Sequence, residues 1–512
     1  MKNVIPQPQL YEQKQGVWKL SQEAGISCPD GLRPAADYFI EQVKVFFGFN
    51  LTYEKGGIEL ILSKDFAEEE YAIEVGESVK IFAKGGKGAF YALWTVLQAL
   101  LDKGEVSYCS VKDKPLYAHR GLSLDVARHF FPKEEVKKII DIMASVKLNV
   151  LHFHLSDDQG WRVESKKYPL LNEIGSYRDA TLVRREGNRI IQGRYGGYYT
   201  KNEIKEIVSY AKERFIDVMP EIDLPGHTIA VVASYPHLSC RGVQVPVRQV
   251  WGISEDILCA GNNQMYEVVK ELLDELCELF PYEYFHLGGD EAPKQRWISC
   301  PKCNAKLKEL GLKNMNELQG HVFNVFARHL EKKGKKVVGW NECLSDTLDK
   351  DIIVQHWTSW KMLKNGATVK AVKGGRKAIM SDFDATYFDY PYARIPLKTV
   401  YNFNPLLKGL DREDAENILG VEGNMWTEHV PDSYKLEFNL FPRLQAIACV
   451  GWGTNGDYQQ FTQALQSYYK LLDKKSAVYA KGCEHKGKSL LKTARFFLKD
   501  AYEEVDGQRD KE

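Results

Sequence analysis

The chain has no excess of charge of either sign: 69 Lys and Arg stand against 69 Asp and Glu in 512 residues. A balanced surface makes no long-range field, which excludes recruitment by charge alone to nucleic acid, an acidic polymer or an anionic membrane. Partners have to be selected by a local site. Long apolar runs are missing as well. The opening Met1-Lys-Asn-Val-Ile-Pro-Gln-Pro-Gln9 lacks the apolar core of a signal peptide, and no later stretch could span a bilayer. No membrane insertion is expected, and a cytoplasmic location unless a leader has been removed.

A closely spaced cysteine framework is also lacking, because the ten cysteines are scattered through a long chain and reduced thiols are the expectation. Cys300-Pro-Lys-Cys303 has the spacing of half a zinc site, yet neither a second Cys-x-x-Cys nor a His-x-His pair follows. A loop turn or a disulfide is expected there, and Cys240 and Cys259 bracket one loop and could also pair. No Gly-rich phosphate loop follows an early strand, which argues against a doubly wound nucleotide-binding sheet.

What is present is a change of pattern. The length allows two or three domains around a large core. Residues 1–113 mix strand-like runs (Gly57–Leu62, Ser78–Ala83) with a helical stretch from Gly88 to Leu101, which predicts a small α+β domain with a helix laid on a sheet. It holds no cluster of acids, bases or metal ligands. Lys112-Asp-Lys-Pro115 marks its end. Over 114–457, eight strand-like runs alternate with helical periods: Gly121–Val126, Asn149–Leu155, Asp217–Asp223, Tyr284–Gly289, Lys336–Trp340, Ile352–Trp357, Lys377–Met380 and Ile418–Trp426. Thr200-Lys-Asn-Glu203 reads as a capping box before one of the helices. Eight such units predict a (β/α)8 barrel. Residues 458–512 read as a helical extension on its outside, closed by a charged segment.

The decisive stretch is Tyr284-Phe-His-Leu-Gly-Gly-Asp-Glu291, an apolar strand that ends in two glycines and two adjacent carboxylates at a barrel rim. Paired acids in a dry site cannot both ionise freely, so one is driven toward its protonated form. Side chains on consecutive strand residues diverge, which ill suits this pair to flank one scissile bond. One residue is read as proton donor and the other as an orienting group. The glycines are read as room for a ligand against bare backbone.

Other strand ends deliver Asp125 and Arg128, then His152, His154, Asp157, Asp158 and Trp161, then Glu221, Asp223 and His227. Later ends bring Trp340, Glu342, His356, Trp357, Tyr387, Asp389, Trp426 and Glu428. Carboxylates with flat aromatic walls suit a neutral pyranose, which shows hydroxyls at its rim and C–H groups on its faces. His152-Phe-His154 also has the spacing of a metal-binding His-x-His, so a metal-dependent barrel hydrolase completed by His227, His286 and Asp382 is a rival; histidines bonded to neighbouring acids are the plainer reading.

Several motifs in order resemble glycoside hydrolase family 20, the β-N-acetylhexosaminidases: Arg128-His-Phe-Phe-Pro132, His154-Leu-Ser-Asp-Asp-Gln-Gly-Trp161, Glu221-Ile-Asp-Leu-Pro-Gly-His-Thr228, His286–Glu291, Gly339-Trp-Asn-Glu342 and Trp426-Thr-Glu428. Ala127 departs from the serine common before the arginine. The resemblance implies exo-acting, retaining hydrolysis of terminal β-linked N-acetylglucosamine or N-acetylgalactosamine, with the substrate's own acetamido group as nucleophile. It gives Glu291 the acid/base role, Asp290 the acetamido N–H and Tyr387 the acetamido oxygen. Asp157 and His227 stand behind Glu291, Trp340, Trp357 and Trp426 wall the pocket, and Arg128, Asp389 and Glu428 bind hydroxyls. No cofactor and no catalytic metal are implied; the partner is a glycoside or glycoconjugate, and no oligomer is specified. A binding homologue would keep the pocket without the chemistry, and release of a disaccharide from a longer glycan is a narrower alternative that depends on pocket depth.

Overall fold

The computed structural model describes every residue except 2, 54–55, 183–189, 359–365 and 499–512. Its centre is a closed barrel of eight parallel strands in sequence order: β1 (His119–Asp125), β2 (Val150–His154), β3 (Asp217–Glu221), β4 (Tyr284–His286), β5 (Lys336–Trp340), β6 (Ile353–His356), β7 (Ala378–Met380) and β8 (Ile418–Met425), with β8 returning to β1. All eight predicted runs become barrel strands. Parallel strands covered on both faces need continuous apolar sequence, which is why they stand out.

β4 is shorter than its run, because Gly288 and Gly289 leave the strand at φ +64° and +100°. They do not clear space for a ligand. A Cβ on Gly288 would lie 1.8 Å from Asp223 Oδ1, and one on Gly289 would lie 2.4 Å from the Phe323 ring. The glycines let this turn pack against the protein itself.

The helix Lys201–Lys212 opens on the predicted box: Thr200 Oγ1 accepts from Glu203 N–H at 3.2 Å, and Glu203 Oε2 accepts from Thr200 N–H at 2.9 Å. The N-terminal unit is a six-stranded sheet ordered Leu10–Lys19, Glu105–Asp113, Tyr71–Val75, Val79–Ala83, Gly57–Leu62, Gly25–Ser27. It carries two helices, not one. Arg33–Phe47 accompanies Gly86–Leu100, started by Pro34 and stopped by Gly48 at φ +75°; these signals are the usual N-terminal proline and C-terminal glycine. The C-terminal helix Tyr458–Lys474 buries Phe461, Leu465, Tyr468 and Leu472. The charged segment that closes the sequence lies outside the described residues. No helix among those described is long and apolar enough to cross a membrane.

None of the ten cysteines is in a disulfide, so the pairings considered for Cys240/Cys259 and Cys300/Cys303 are not formed. Cys300-Pro-Lys-Cys303 nevertheless has cysteine partners. Cys240 and Cys259 meet it across the fold, from earlier in the chain rather than later.

Sheet and barrel meet over buried charge. Asp113 accepts the Trp452 indole at 2.8 Å, the Lys147 ammonium at 3.2 Å and the Tyr71 hydroxyl, and Glu69 meets Arg120 at 3.1 Å. Lys147 and Asp113 are both essentially inaccessible. Removing one member of such a pair strands the other without solvent, at a cost of about 3–5 kcal/mol. Asp113→Ala is therefore expected to lower the free energy of unfolding by that amount, read as a lower urea midpoint at unchanged slope; an unchanged midpoint would show that the joint carries no stability.

Candidate active site

The site rises from the barrel core. Glu221, at the end of β3, is fully buried and faces three histidines: His286 Nδ1 at 2.9 Å, His152 Nε2 at 3.1 Å and His154 Nδ1 at 2.5 Å. Its Oε1 also takes the Trp340 indole N–H at 2.8 Å. Glu422, inside β8, takes His119 and His152, each at 2.8 Å, and the Gln355 amide at 2.7 Å. The two histidines of His152-Phe-His154 thus point both ring nitrogens at carboxylates. Burial alone would raise the two glutamates, but the imidazoles around them hold both well below the usual carboxylate range.

From this core a chain of charges runs to the mouth. His154 Nε2 meets Asp157 Oδ2 at 3.1 Å, and the Arg128 guanidinium meets the same oxygen at 2.7 Å. Asp157 Oδ1 meets His227 Nδ1 at 3.1 Å. The far nitrogen of that ring, Nε2, lies 3.5 Å from Glu291 Oε2 and 3.7 Å from Asp290 Oδ2. Burial opposes the charge on His227, yet Asp157 and Glu291 outweigh it and keep the ring well above its ordinary range. Asp157 is buried too and is held very low by Arg128 and His227.

Adjacent side chains diverge on a strand, but Glu291 is no longer on one. It sits at φ +40°, its N–H donating to Glu342 Oε2 at 3.2 Å. The turn brings both carboxylates to one imidazole, where they cannot bracket a bond from opposite sides. Asp290 is pushed up to about 6 by burial and then by Glu291, with His227 pulling the other way. Glu342, in the same group, is pushed up to about 7 by burial and by Asp290. Asp290 Oδ1 is buried without a hydrogen-bond partner among the described residues. A buried acceptor left open in this way awaits a donor. Glu291 is the more accessible of the two, at 35% against 14%.

The aromatic wall is continuous. Trp340 and Trp426 have ring centroids 5.7 Å apart, Tyr387 lies 6.2 Å from Trp426, and Trp357 stacks on Tyr387 at 6.2 Å. Arg128 sits 4.9 Å from the Trp426 ring, held also by Asp125 at 3.3 Å. Much of its guanidinium is spent on Asp157 and Asp125. Asp389 is pushed well up by burial and then by Glu428, and its Oδ1 also lacks a hydrogen-bond partner among the described residues. Glu428 is raised by burial, with Arg128 pulling the other way. Trp161 is excluded from the wall; it is buried and donates to Val163 O at 2.6 Å.

Two contributors are new. Glu422 showed one signal, an acid inside the apolar run Ile418–Trp426. Arg162 showed none, yet it is fully buried and donates to the carbonyls of Val126, Ala127, Ser176 and Gly197, pinning the loop that carries Arg128.

The model of the glycosyl hydrolase family 20 catalytic domain matches residues 117–455, and that of the family's domain 2 matches residues 1–114. The chain belongs to glycosyl hydrolase family 20. It is 33% identical over 504 residues to a beta-hexosaminidase of Porphyromonas gingivalis, covering 92% of this chain and 63% of that protein. A family-20 exo-beta-N-acetylglucosaminidase from Vibrio harveyi, solved with N-acetylglucosamine, superposes with a TM-score of 0.84 at 30% identity, covering 95% of this chain and 79% of that one. The family-20 beta-N-acetylhexosaminidase of Streptomyces coelicolor A3(2) does so at 0.82 and 30%, covering 95% and 99%. This family-20 chain is a glycosidase of the β-hexosaminidase class.

The Gly288 turn aims the acid pair, so Gly288→Ala should disturb the site first. With no room beside Asp223 and a φ that L-residues avoid, a cost of about 1–3 kcal/mol is expected. The far-ultraviolet circular dichroism spectrum should be retained while turnover falls at least tenfold, a factor worth about 1.4 kcal/mol. Wild-type turnover would show that the turn does not set the pair.

Proposed function

We propose that the chain removes terminal, non-reducing β-linked N-acetylglucosamine or N-acetylgalactosamine by exo-acting, retaining, substrate-assisted hydrolysis. The observation that carries this reading is Asp290: its Oδ1 is buried without a hydrogen-bond partner among the described residues, beside the more accessible Glu291, and both carboxylates face His227 Nε2. Two acids on one side cannot serve as proton donor and opposed nucleophile for one bond. The acetamido group of the sugar fills that place.

In the first step Glu291 gives its proton to the glycosidic oxygen as the C1–O bond breaks. The acetamido carbonyl oxygen bonds to C1, while Asp290 accepts the acetamido N–H and stabilises the charge that grows on nitrogen. The result is an oxazolinium ion. In the second step Glu291, now a carboxylate, takes a proton from water, whose oxygen bonds to C1 as the ring opens and the acetamide re-forms. Two inversions at C1 retain the β configuration. Tyr387 is assigned to the acetamido oxygen, Trp340, Trp357 and Trp426 to the sugar faces, and Arg128, Asp389 and Glu428 to its hydroxyls. Asp157 and His227 place a fixed positive charge beside the acid pair.

Asp290→Asn should lower kcat on a β-N-acetylglucosaminide by about 10²–10³, the scale of one lost charge-stabilising contact. Glu291→Gln should lower it by about 10²–10⁴ for alkoxide leaving groups and far less for activated aryl ones. Wild-type rates in Asp290→Asn, or fast cleavage of a plain β-glucoside, would overturn the mechanism.

The pH profile offers a separate check. Asp290 accepts the N–H only when ionised, and its pKa is raised to about 6, so that form is lost on acidification sooner than for an ordinary aspartate. kcat/KM should therefore fall as pH drops through about 6, with a macroscopic pKa shared with Glu342. An acid limb that begins only near pH 4, the range of an unperturbed aspartate, would show that Asp290 is not the group titrating.

A further inference from the structure

We propose that Cys240, Cys259, Cys300 and Cys303 form a tetrahedral tetrathiolate site for a structural zinc ion. The four sulfurs all lie within 4.8 Å of one another. Cys259 Sγ is 3.6 Å from Cys303 and 3.8 Å from Cys300, and Cys240 Sγ is 3.8 Å from Cys303. Bonds of about 2.3 Å to a central zinc require sulfur–sulfur edges of about 3.8 Å. Disulfides pair sulfurs one to one, whereas here Cys259 and Cys303 each have two close neighbours, as the corners of a tetrahedron do.

The surroundings fit a thiolate cluster. Cys259, Cys300 and Cys303 are buried and Cys240 is half-buried, which leaves a way in for the ion. The Gly261 N–H is placed to hydrogen-bond the Cys259 and Cys303 sulfurs, a contact that favours their charged form. Only glycine permits that approach, since a Cβ at 261 would lie 2.1 Å from the Lys302 carbonyl carbon. Cys300 caps the helix Pro301–Glu309, and Cys303 lies in its first turn, where the helix dipole favours negative sulfur.

The ion would tie together the two loops that make the catalytic centre. Cys240 and Cys259 belong to the loop after β3, which carries His227; Cys300 follows Glu291 by nine residues in the loop after β4. Leu258, next to Cys259, donates its N–H to Pro225 O at 3.1 Å and accepts the Trp297 indole at 2.9 Å. Zinc here is a positioning element outside the chemistry, holding His227 against the Asp290–Glu291 turn.

The test is elemental analysis and native mass spectrometry of full-length protein purified under reducing conditions without chelator. One zinc per chain is expected, with these four thiols protected from iodoacetamide until an organomercurial displaces the metal. Reconstitution with cobalt(II) should give the visible and near-ultraviolet bands of a tetrahedral thiolate complex. Cys303→Ser should bind less than a tenth as much zinc and melt lower. Cys240→His, which keeps four ligands of a kind zinc accepts, should retain it, and Cys277→Ser, outside the cluster, should change nothing. Metal-free protein with four alkylatable thiols, disulfide-linked peptides from these cysteines, or iron as the bound metal would each overturn the proposal.

Discussion

A carboxylate in the dry centre of a barrel must be neutralised from every side, and Glu221 shows what that demands. Three imidazoles and one indole converge on it from β2, β4 and β5. Glu422 repeats the arrangement from β8 and shares His152. Desolvation makes any unpaired member of this network costly, so the strands that carry it have little freedom to slide past one another. The aromatic wall inherits the constraint, because the ring of Trp340 is aimed by its bond to Glu221.

The same electrostatic logic carries outward. Acid and base alternate along Glu221, His154, Asp157 and His227, and each link fixes the charge of the next. The sequence of charges ends on a cationic ring facing two carboxylates. In the proposed mechanism a preorganised charge of this kind needs no rearrangement at the moment of reaction. Asp290 bears an upward shift because it is removed from water and faces the acids Glu291 and Glu221, an effect that the His227 ring opposes.

What could be read in advance followed from strong local rules. Buried parallel strands are unbroken apolar runs, so all eight were visible, and Thr200 and Glu203 announced a helix start. The helix Arg33–Phe47 carries only its boundary signals, Pro34 at its start and Gly48 just past its end. Features set by contact across the fold were harder. Nothing near Gly288 in the chain foretells that Asp223 occupies the space a side chain would need. The divergence expected of Asp290 and Glu291 failed because one backbone angle leaves the strand region. Arg162 looks like any surface arginine until its carbonyl partners are assembled, and four cysteines spread between positions 240 and 303 reveal their meeting only in three dimensions.

The joint between sheet and barrel has a consequence for how this architecture can be dismantled. Two cations rooted in the barrel, Arg120 and Lys147, find their counter-ions in the preceding domain, on Glu69 in the turn before the strand Tyr71–Val75 and on Asp113 of its sheet. Severed from that domain, the barrel would be left with two cations lacking their counter-ions. The non-catalytic unit is in this sense part of the enzyme's foundation, and a chimera that transplants the barrel has to bring both acids with it.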